Sequence, residues 1–316
     1  MKQKLGIDIG RGYVKGYTEY MNIVMNCMFK SVVAQGREID FTDYIKEGIE
    51  PIFITTKGDF NFTERFIGEV AETDGELVTA NSADDKTTEV AQQLLLAAMD
   101  KLTIVNAENK AEVEIMLGVP NRAFKKSTFD KVVDKYKCKE VTIINHIDNT
   151  EKTIKISDIA IFRESDAALW YEMNQNNPHN GKNNVMVSIG FETSEIAFYD
   201  EHLKFIDLKS KSEPYGHNEV LRYVEKKLEE QEIYKTLTQI DHQNKYTDLK
   251  EIGYKNFSDR LDQVVASRIG NLSEVNLYLA GGIANKLTPK TKFNIVKDPQ
   301  RITAKGLFLI ATRKFR

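Results

Sequence analysis

Two stretches of the chain bring together residue types that can hold a phosphate. The first, "KLGIDIGRGYVKGY", ends an apolar run near Asp8 and continues through Gly10, Arg11, Gly12 and Tyr13 to Lys15. The second, "VMVSIGFETSEIAFYD", repeats the pattern at an offset of 180 residues. Ser188 stands at the place of Asp8, Gly190 at that of Gly10, Thr193 at that of Tyr13 and Glu195 at that of Lys15, with Phe191 and Glu192 inside the bend. Each reads as strand, glycine turn, strand. Glycine lets the backbone come close to a ligand, and a bend that turns peptide N–H groups inward makes a site for anionic oxygens. One such segment alone is most simply a plain β-hairpin, whereas two facing each other would clamp a phosphate chain. A third segment, "NLYLAG", runs into Gly281 and Gly282 with Ile283 next. That backbone is flat enough for a purine ring to lie on, although a glycine pair also simply ends a strand.

The elements that must position these residues follow from periodicity. Strands are expected at residues 4–9 and 13–20, with a shorter one near 52–56, in a segment 36–83 that otherwise reads as polar and irregular. From Asp84 the pattern turns helical: Val90, Leu94, Leu95, Ala98 and Leu102 fall on one stripe, with acids at the start. "AEVEIMLGVP" is an apolar strand stopped by Gly118 and Pro120, so its end is a candidate rim position. An amphipathic lysine-rich stretch, two more strands and a helix starting near Glu164 complete the first half. The asparagine-rich run 174–184 is the best boundary. Beyond the second strand pair come a charged helix with Val220, Tyr223, Val224 and Leu228 facing inward, and a helix capped by Ser258. The diglycine strand and a final strand, turn and helix close the chain.

Composition narrows the class. A chain of 316 residues, 41% hydrophobic and 29% charged, is long enough for two cores. With 44 basic against 47 acidic residues the net charge is -3, which gives no reason for broad affinity toward nucleic acid or anionic lipid. Cys27 and Cys138 have no neighbouring cysteine, and the five histidines show no metal-ligand spacing. No apolar run approaches the roughly 20 residues that span a bilayer. A reduced, cytoplasmic protein without structural zinc and without membrane partners is expected.

With these segments in order, the chain resembles the actin, Hsp70 and sugar-kinase superfamily of ATPases. "GIDIGRGYVKG" is similar to the first phosphate loop, "IFRESDAALW" to the first connecting helix, "VSIGFETSEIAF" to the second phosphate loop, "LYLAGGIANKL" to the adenosine segment and "DPQRITAKGLF" to the second connecting helix. Within that superfamily "IMLGVPNRAF" and "DPQRITAKGL" resemble the bacterial plasmid-segregation actins of the ParM/StbA type. The resemblance implies an α/β, actin-like (ribonuclease H-like) fold of duplicated domains with a nucleotide cleft between them. The domains would be 1–173, with a C-terminal helix at about 303–316 packing back on it, and 185–302, joined by the linker 174–184. It implies ATP or GTP with Mg²⁺ as cofactors and assembly with itself into a head-to-tail filament. Plasmid DNA would be moved indirectly, through a small centromere-binding adaptor protein.

The residue roles follow from the same resemblance. Asp8 would hold Mg²⁺, through water, because a carboxylate at the end of a buried strand needs a cation to offset its burial; the alternative is a capped turn aspartate. Lys15 would face the β- or γ-phosphate, or be a solvated strand lysine. Glu164 would polarise the attacking water as the catalytic acid, or merely complement its helix dipole. Ser188 replaces the family's second aspartate, and Phe191 and Glu192 replace small residues. A negative charge is therefore missing, with slower hydrolysis, weaker Mg²⁺ binding or compensation by Glu192 or Glu195 all open. Gly216, Arg222 and Lys226 lie where relatives contact the nucleoside; the plainer reading is an ordinary amphipathic helix. A small-molecule kinase of the same superfamily and a nucleotide-gated scaffold with little hydrolysis are the competing functions.

Overall fold

The computed structural model describes residues 2–82, 84–176 and 181–316. Its contacts divide the chain into one unit of Met1–Tyr171 with Thr303–Arg316 and another of Glu172–Ile302. The first runs through β1 (Gln3–Ile9), β2 (Tyr13–Tyr20), β3 (Ile23–Lys30), β4 (Val32–Gln35), α1 (Thr42–Lys46), β5 (Ile52–Gly58), β6 (Phe62–Ile67), α2 (Glu69–Thr73), β7 (Glu76–Ala80), α3 (Glu89–Leu102), β8 (Lys110–Val119), α4 (Lys126–Tyr136), β9 (Lys139–Asn145) and β10 (Thr150–Arg163), and enters α5 (Glu164–Asn176). The second holds β11 (Asn183–Ile189), β12 (Ser194–Tyr199), β13 (Lys211–Glu213), α6 (His217–Glu229), α7 (Leu237–His242), α8 (Thr247–Ile269), β14 (Val275–Gly281) and β15 (Asn294–Ile295), before α9 (Ile302–Lys314). Of the expected linker 174–184, residues 174–176 close α5, 183 and 184 open β11, and 177–180 lie outside the described residues.

The two sheets share one plan. In the first, the order is β3-β2-β1-β8-β10-β9-β5-β6-β4-β7; in the second it is β13-β12-β11-β14-β15. Each begins with three antiparallel strands, and each then adds two strands in parallel. Strands covered on both faces read as continuous apolar runs, and β1 and β11 accordingly bury nearly every side chain. Around β1, Leu5, Ile7 and Ile9 share a core with Leu94, Leu95 and Ala98 of α3. Around β11, Val185, Val187 and Ile189 share another with Tyr215, Phe257 and Leu279. At α9 the chain returns to the first unit, and a Cβ on Gly306 would lie 1.9 Å from the Ala167 carbonyl oxygen, so α9 meets α5 backbone to backbone.

Three expectations need correction. The segment expected to be irregular is not: residues 36–82 form α1, α2, β5, β6 and β7 around a small core of Ala34, Phe53, Phe66, Val70 and Ala71. Their polarity misleads because β7 is exposed along its whole length and held by backbone pairing to β4, and α1 buries none of its own residues. Helix α3 is buried on nearly every face rather than along one stripe, with Gln92, Gln93 and Asp100 inside. Asp100 is matched by Asn145 at 2.8 Å and Lys152 at 3.1 Å, Gln92 Nε2 donates to the Thr87 carbonyl at 2.7 Å and Gln93 Nε2 to Glu89 Oε1 at 3.1 Å, while Gln93 Oε1 has no hydrogen-bond partner among the described residues. Ser258 is no cap. It sits in the middle of α8, where its Oγ donates to the Tyr254 carbonyl at 2.8 Å and accepts from Thr288 N–H at 2.9 Å.

Candidate nucleotide site

In the first unit a seven-residue separation becomes a contact because the hairpin pairs Asp8 directly with Lys15. Lys15 Nζ donates to Asp8 Oδ2 at 3.1 Å, and Gly10 N–H closes the bend on the Tyr13 carbonyl at 3.1 Å. Asp8 is 4% exposed, and its Oδ1 is buried without a hydrogen-bond partner among the described residues. An acceptor left in that state costs about 1–3 kcal/mol. The deficit fits a carboxylate whose partner is a cation or a cation's water. Among the described residues no three His, Cys, Asp or Glu side chains converge as metal ligands, so such an ion would take its other oxygens from water and phosphate, as magnesium does.

Asn81 and Lys86 lie over this bend, a contact that no spacing in the sequence shows. Asn81 Nδ2 donates to the Gly10 carbonyl at 3.1 Å, and Lys86 Nζ donates to the Ile9 carbonyl at 2.6 Å. Because the two edges of a peptide point opposite ways, anchoring the Gly10 carbonyl on Asn81 turns the Arg11 N–H the other way. Asp84 accepts from Arg11 Nη2 at 3.1 Å and from Arg122 Nε at 2.5 Å. Burial opposes the charged form of Asp84, but Arg122 and Arg11 outweigh it and hold the carboxyl below its usual range. Glu164 opens α5, and its Oε1 lies 3.7 Å from Lys86 Nζ. A Cβ on Gly118 would be 3.0 Å from Glu164 Cγ and 3.6 Å from Asp8 Cα, so the end of β8 brings both acids to one place. One signal for Lys86 was available: a cation just before a helix start is at the wrong end of the dipole.

The second unit repeats the bend in the same register. Ser188 faces Glu195, and Gly190 N–H closes on the Thr193 carbonyl at 2.9 Å. Added Cβ atoms at Gly10 and Gly190 would each lie 2.9 Å from the matching carbonyl oxygen, of Tyr13 and Thr193 respectively. Ser188 Oγ is buried without a hydrogen-bond partner among the described residues, the counterpart of Asp8 Oδ1, and Glu195 beside it is 7% exposed. Arg11, Gly12, Phe191 and Glu192 occupy the two bends.

Gly216 meets this second bend. It is the N-cap of α6, whose first amides are spent on the bend: His217 N–H donates to the Gly190 carbonyl at 3.0 Å and Asn218 N–H to that of Phe191 at 2.9 Å. Arg222 and Lys226 are exposed on α6, opposite buried Val220, Leu221, Val224 and Leu228. They lie roughly 9 and 15 Å of helix rise from Gly216, so these three do not form one cluster. Gly281 ends β14 at φ +113, a conformation side chains rarely adopt, and its Cβ would strike the Ile189 carbonyl at 2.1 Å. Gly282 is exposed, with only Gln300 Nε2 at 3.7 Å from an added Cβ, and Ile283 is buried. Beside the bend, burial lowers the His217 pKa while Asp241, 3.8 Å away, opposes the shift.

Residues 6–165 match the family described as the N-terminal domain of actin like proteins. Comparison with curated proteins found no match. Among solved structures, a 15-stranded ParM filament from Clostridium botulinum is 18% identical, with 99% of each chain covered and a TM-score of 0.80. An archaeal actin homologue in complex with ADP is 15% identical, covering 98% of this chain and 99% of that one, with a TM-score of 0.77. ParM from Bacillus thuringiensis with ATP is 14% identical, with 99% of each chain covered and a TM-score of 0.73. At these identities the likeness establishes the fold, a mixed α/β architecture of actin type with one large and one smaller sheet. Because the family match spans half of the sequence and includes the β1–β2 bend, β8 and the start of α5, the chain belongs to the family of actin-like proteins.

Proposed function

We propose that this chain is a filament-forming actin-like protein that binds and hydrolyses a purine nucleoside triphosphate with Mg²⁺, and that its filament moves plasmid DNA through a DNA-binding adaptor. The observation that carries the reading is the duplicated bend. At equivalent register positions Asp8 Oδ1 and Ser188 Oγ are each buried without a hydrogen-bond partner among the described residues, beside a bend closed by the same backbone bond. One orphaned oxygen is an oddity; two related by the duplication of the sheet argue for one kind of ligand. The resemblance of the two bends to phosphate loops supports the same reading, as do solved structures of relatives with ADP and with ATP. A relative that forms a 15-stranded filament supports assembly, and heterologous contacts that do not close produce such open polymers.

When bound, Mg²⁺ would neutralise phosphate charge and order the water around it. Asp8 would accept hydrogen bonds from that water shell. Lys15, already paired to Asp8, puts a positive charge at the bend where a phosphate oxygen would lie. Glu164 would accept a proton-bearing edge of the attacking water and hold it in line. Gly281 and Gly282 would offer backbone to the purine.

Ser188 favours a second reading, a nucleotide-gated scaffold with little turnover, because a hydroxyl supplies a hydrogen bond but no charge. Sedimentation and electron microscopy after adding ATP or GTP with Mg²⁺, run beside phosphate release, decide between them. Filaments with release support the first reading, and filaments without release support the second. Protein that stays monomeric at high concentration with either nucleotide refutes both. Asp8→Asn should weaken Mg-nucleotide binding at least tenfold, and unchanged affinity would refute the role of Asp8.

A further inference from the structure

We propose that Lys86 is the positioning residue for Glu164, the group that aims its carboxylate at the water; the inference rests on the reading of Glu164 given above. The Lys86 side chain is 4% exposed. Burying an ammonium costs several kcal/mol unless its partners are close, and those partners here are two. One is the Ile9 carbonyl at 2.6 Å, directly after Asp8, and the other is Glu164 Oε1 at 3.7 Å. A single cation therefore ties the strand that carries one acid to the helix that carries the other.

Nothing in the local fold asks for a lysine here. Two residues on, Thr88 caps α3 by accepting from Ala91 N–H, and the positive end of that helix disfavours a neighbouring cation. The root of the side chain is fixed nonetheless. Tyr136, fully buried, donates its hydroxyl to the Lys86 carbonyl at 2.5 Å, and Asp85 accepts from Thr87 N–H at 2.9 Å. At 3.7 Å the contact with Glu164 is an ion pair longer than a hydrogen bond. It orients the carboxylate without the close contact of a hydrogen bond. The Glu164 side chain, 24% exposed, is the more accessible of the two, as this division of labour requires.

The test compares Lys86→Met, which keeps the bulk and removes the charge, with Glu164→Gln and the double variant, in the full chain with ATP and Mg²⁺. Lys86→Met should bind nucleotide within about threefold of wild type yet release phosphate roughly 100-fold more slowly, the scale expected when a reacting group is misplaced by about 1 Å. The double variant should be no slower than Glu164→Gln alone, because Lys86 acts through Glu164. Lys86→Arg, which keeps a cation at the position, should recover part of the rate and gives the same comparison if the methionine variant does not fold. A wild-type rate in Lys86→Met, or losses that multiply in the double variant, would overturn the proposal while leaving Glu164 in its role. A wild-type rate in Glu164→Gln, or no phosphate release by the wild type, would sink the reading of Glu164 and the Lys86 proposal with it.

Discussion

Gly216→Ala should separate helix α6 from the second bend. The backbone there is extended, at φ -153 and ψ -164, so alanine could adopt it without strain; the obstacle is contact. The new Cβ would lie 2.5 Å from the Phe191 carbonyl oxygen and 2.7 Å from that of Gly190. Both are main-chain atoms and cannot rotate away. Close carbon–oxygen contacts settle at about 3.3 Å or more, so the helix start must retreat by about 0.8 Å. That stretches the bonds from His217 and Asn218 N–H, now 3.0 and 2.9 Å, past useful length. Overpacking costs about 1–3 kcal/mol, and two lost backbone bonds add about 1 kcal/mol each. A loss of about 3–5 kcal/mol is expected in urea unfolding, with at least tenfold weaker binding in a nucleotide titration. Gly48→Ala is the control: its φ of +75 carries strain, nothing lies within 4 Å of the new Cβ, and affinity should not change. A Gly216→Ala protein within about 0.5 kcal/mol of wild type, binding nucleotide normally, would refute the claim that α6 is held by the bend.

Gly282→Ala meets only the end of the Gln300 side chain at 3.7 Å, so stability should stay within about 0.5 kcal/mol. If the purine lies on this backbone, affinity should fall several-fold in the same titration, and unchanged affinity would remove Gly282 from the site. His217 gives a pH test. Burial lowers its folded pKa, with Lys286 and Lys250 adding to the shift and Asp241 opposing it, so below its ordinary value of 6.5 the unfolded chain binds more protons. The stability held by neutral His217 is complete above pH 6.5 and is lost as pH falls through the lower, folded value. Urea midpoints of the wild type should therefore drop more steeply below pH 6.5 than those of His217→Asn, and parallel profiles would contradict the assignment.

How much was readable in the sequence depends on how far apart the partners stand along the chain. A hairpin is local, and the length of its bend sets its register; the 180-residue offset therefore already implied that the two hairpins share one register, which in the structure pairs Asp8 with Lys15 and Ser188 with Glu195. The start of α5 at Glu164 and the burial of β1 and β11 followed likewise from periodicity. Of the strands between residues 36 and 82, β7 stayed hidden because an edge strand held by backbone pairing needs no apolar pattern, and it has none. The contact of Lys86 with Glu164 joins residues from separate elements, and no spacing rule links a loop before one helix to the first turn of another. Likewise the closeness of Gly216 to the Gly190 and Phe191 carbonyls depends on how α6 packs, with α8 pressed against it at Gly253 and Val220. Local backbone geometry thus determined which residues stand at each bend, and long-range packing alone decided which groups from elsewhere were brought to hold them.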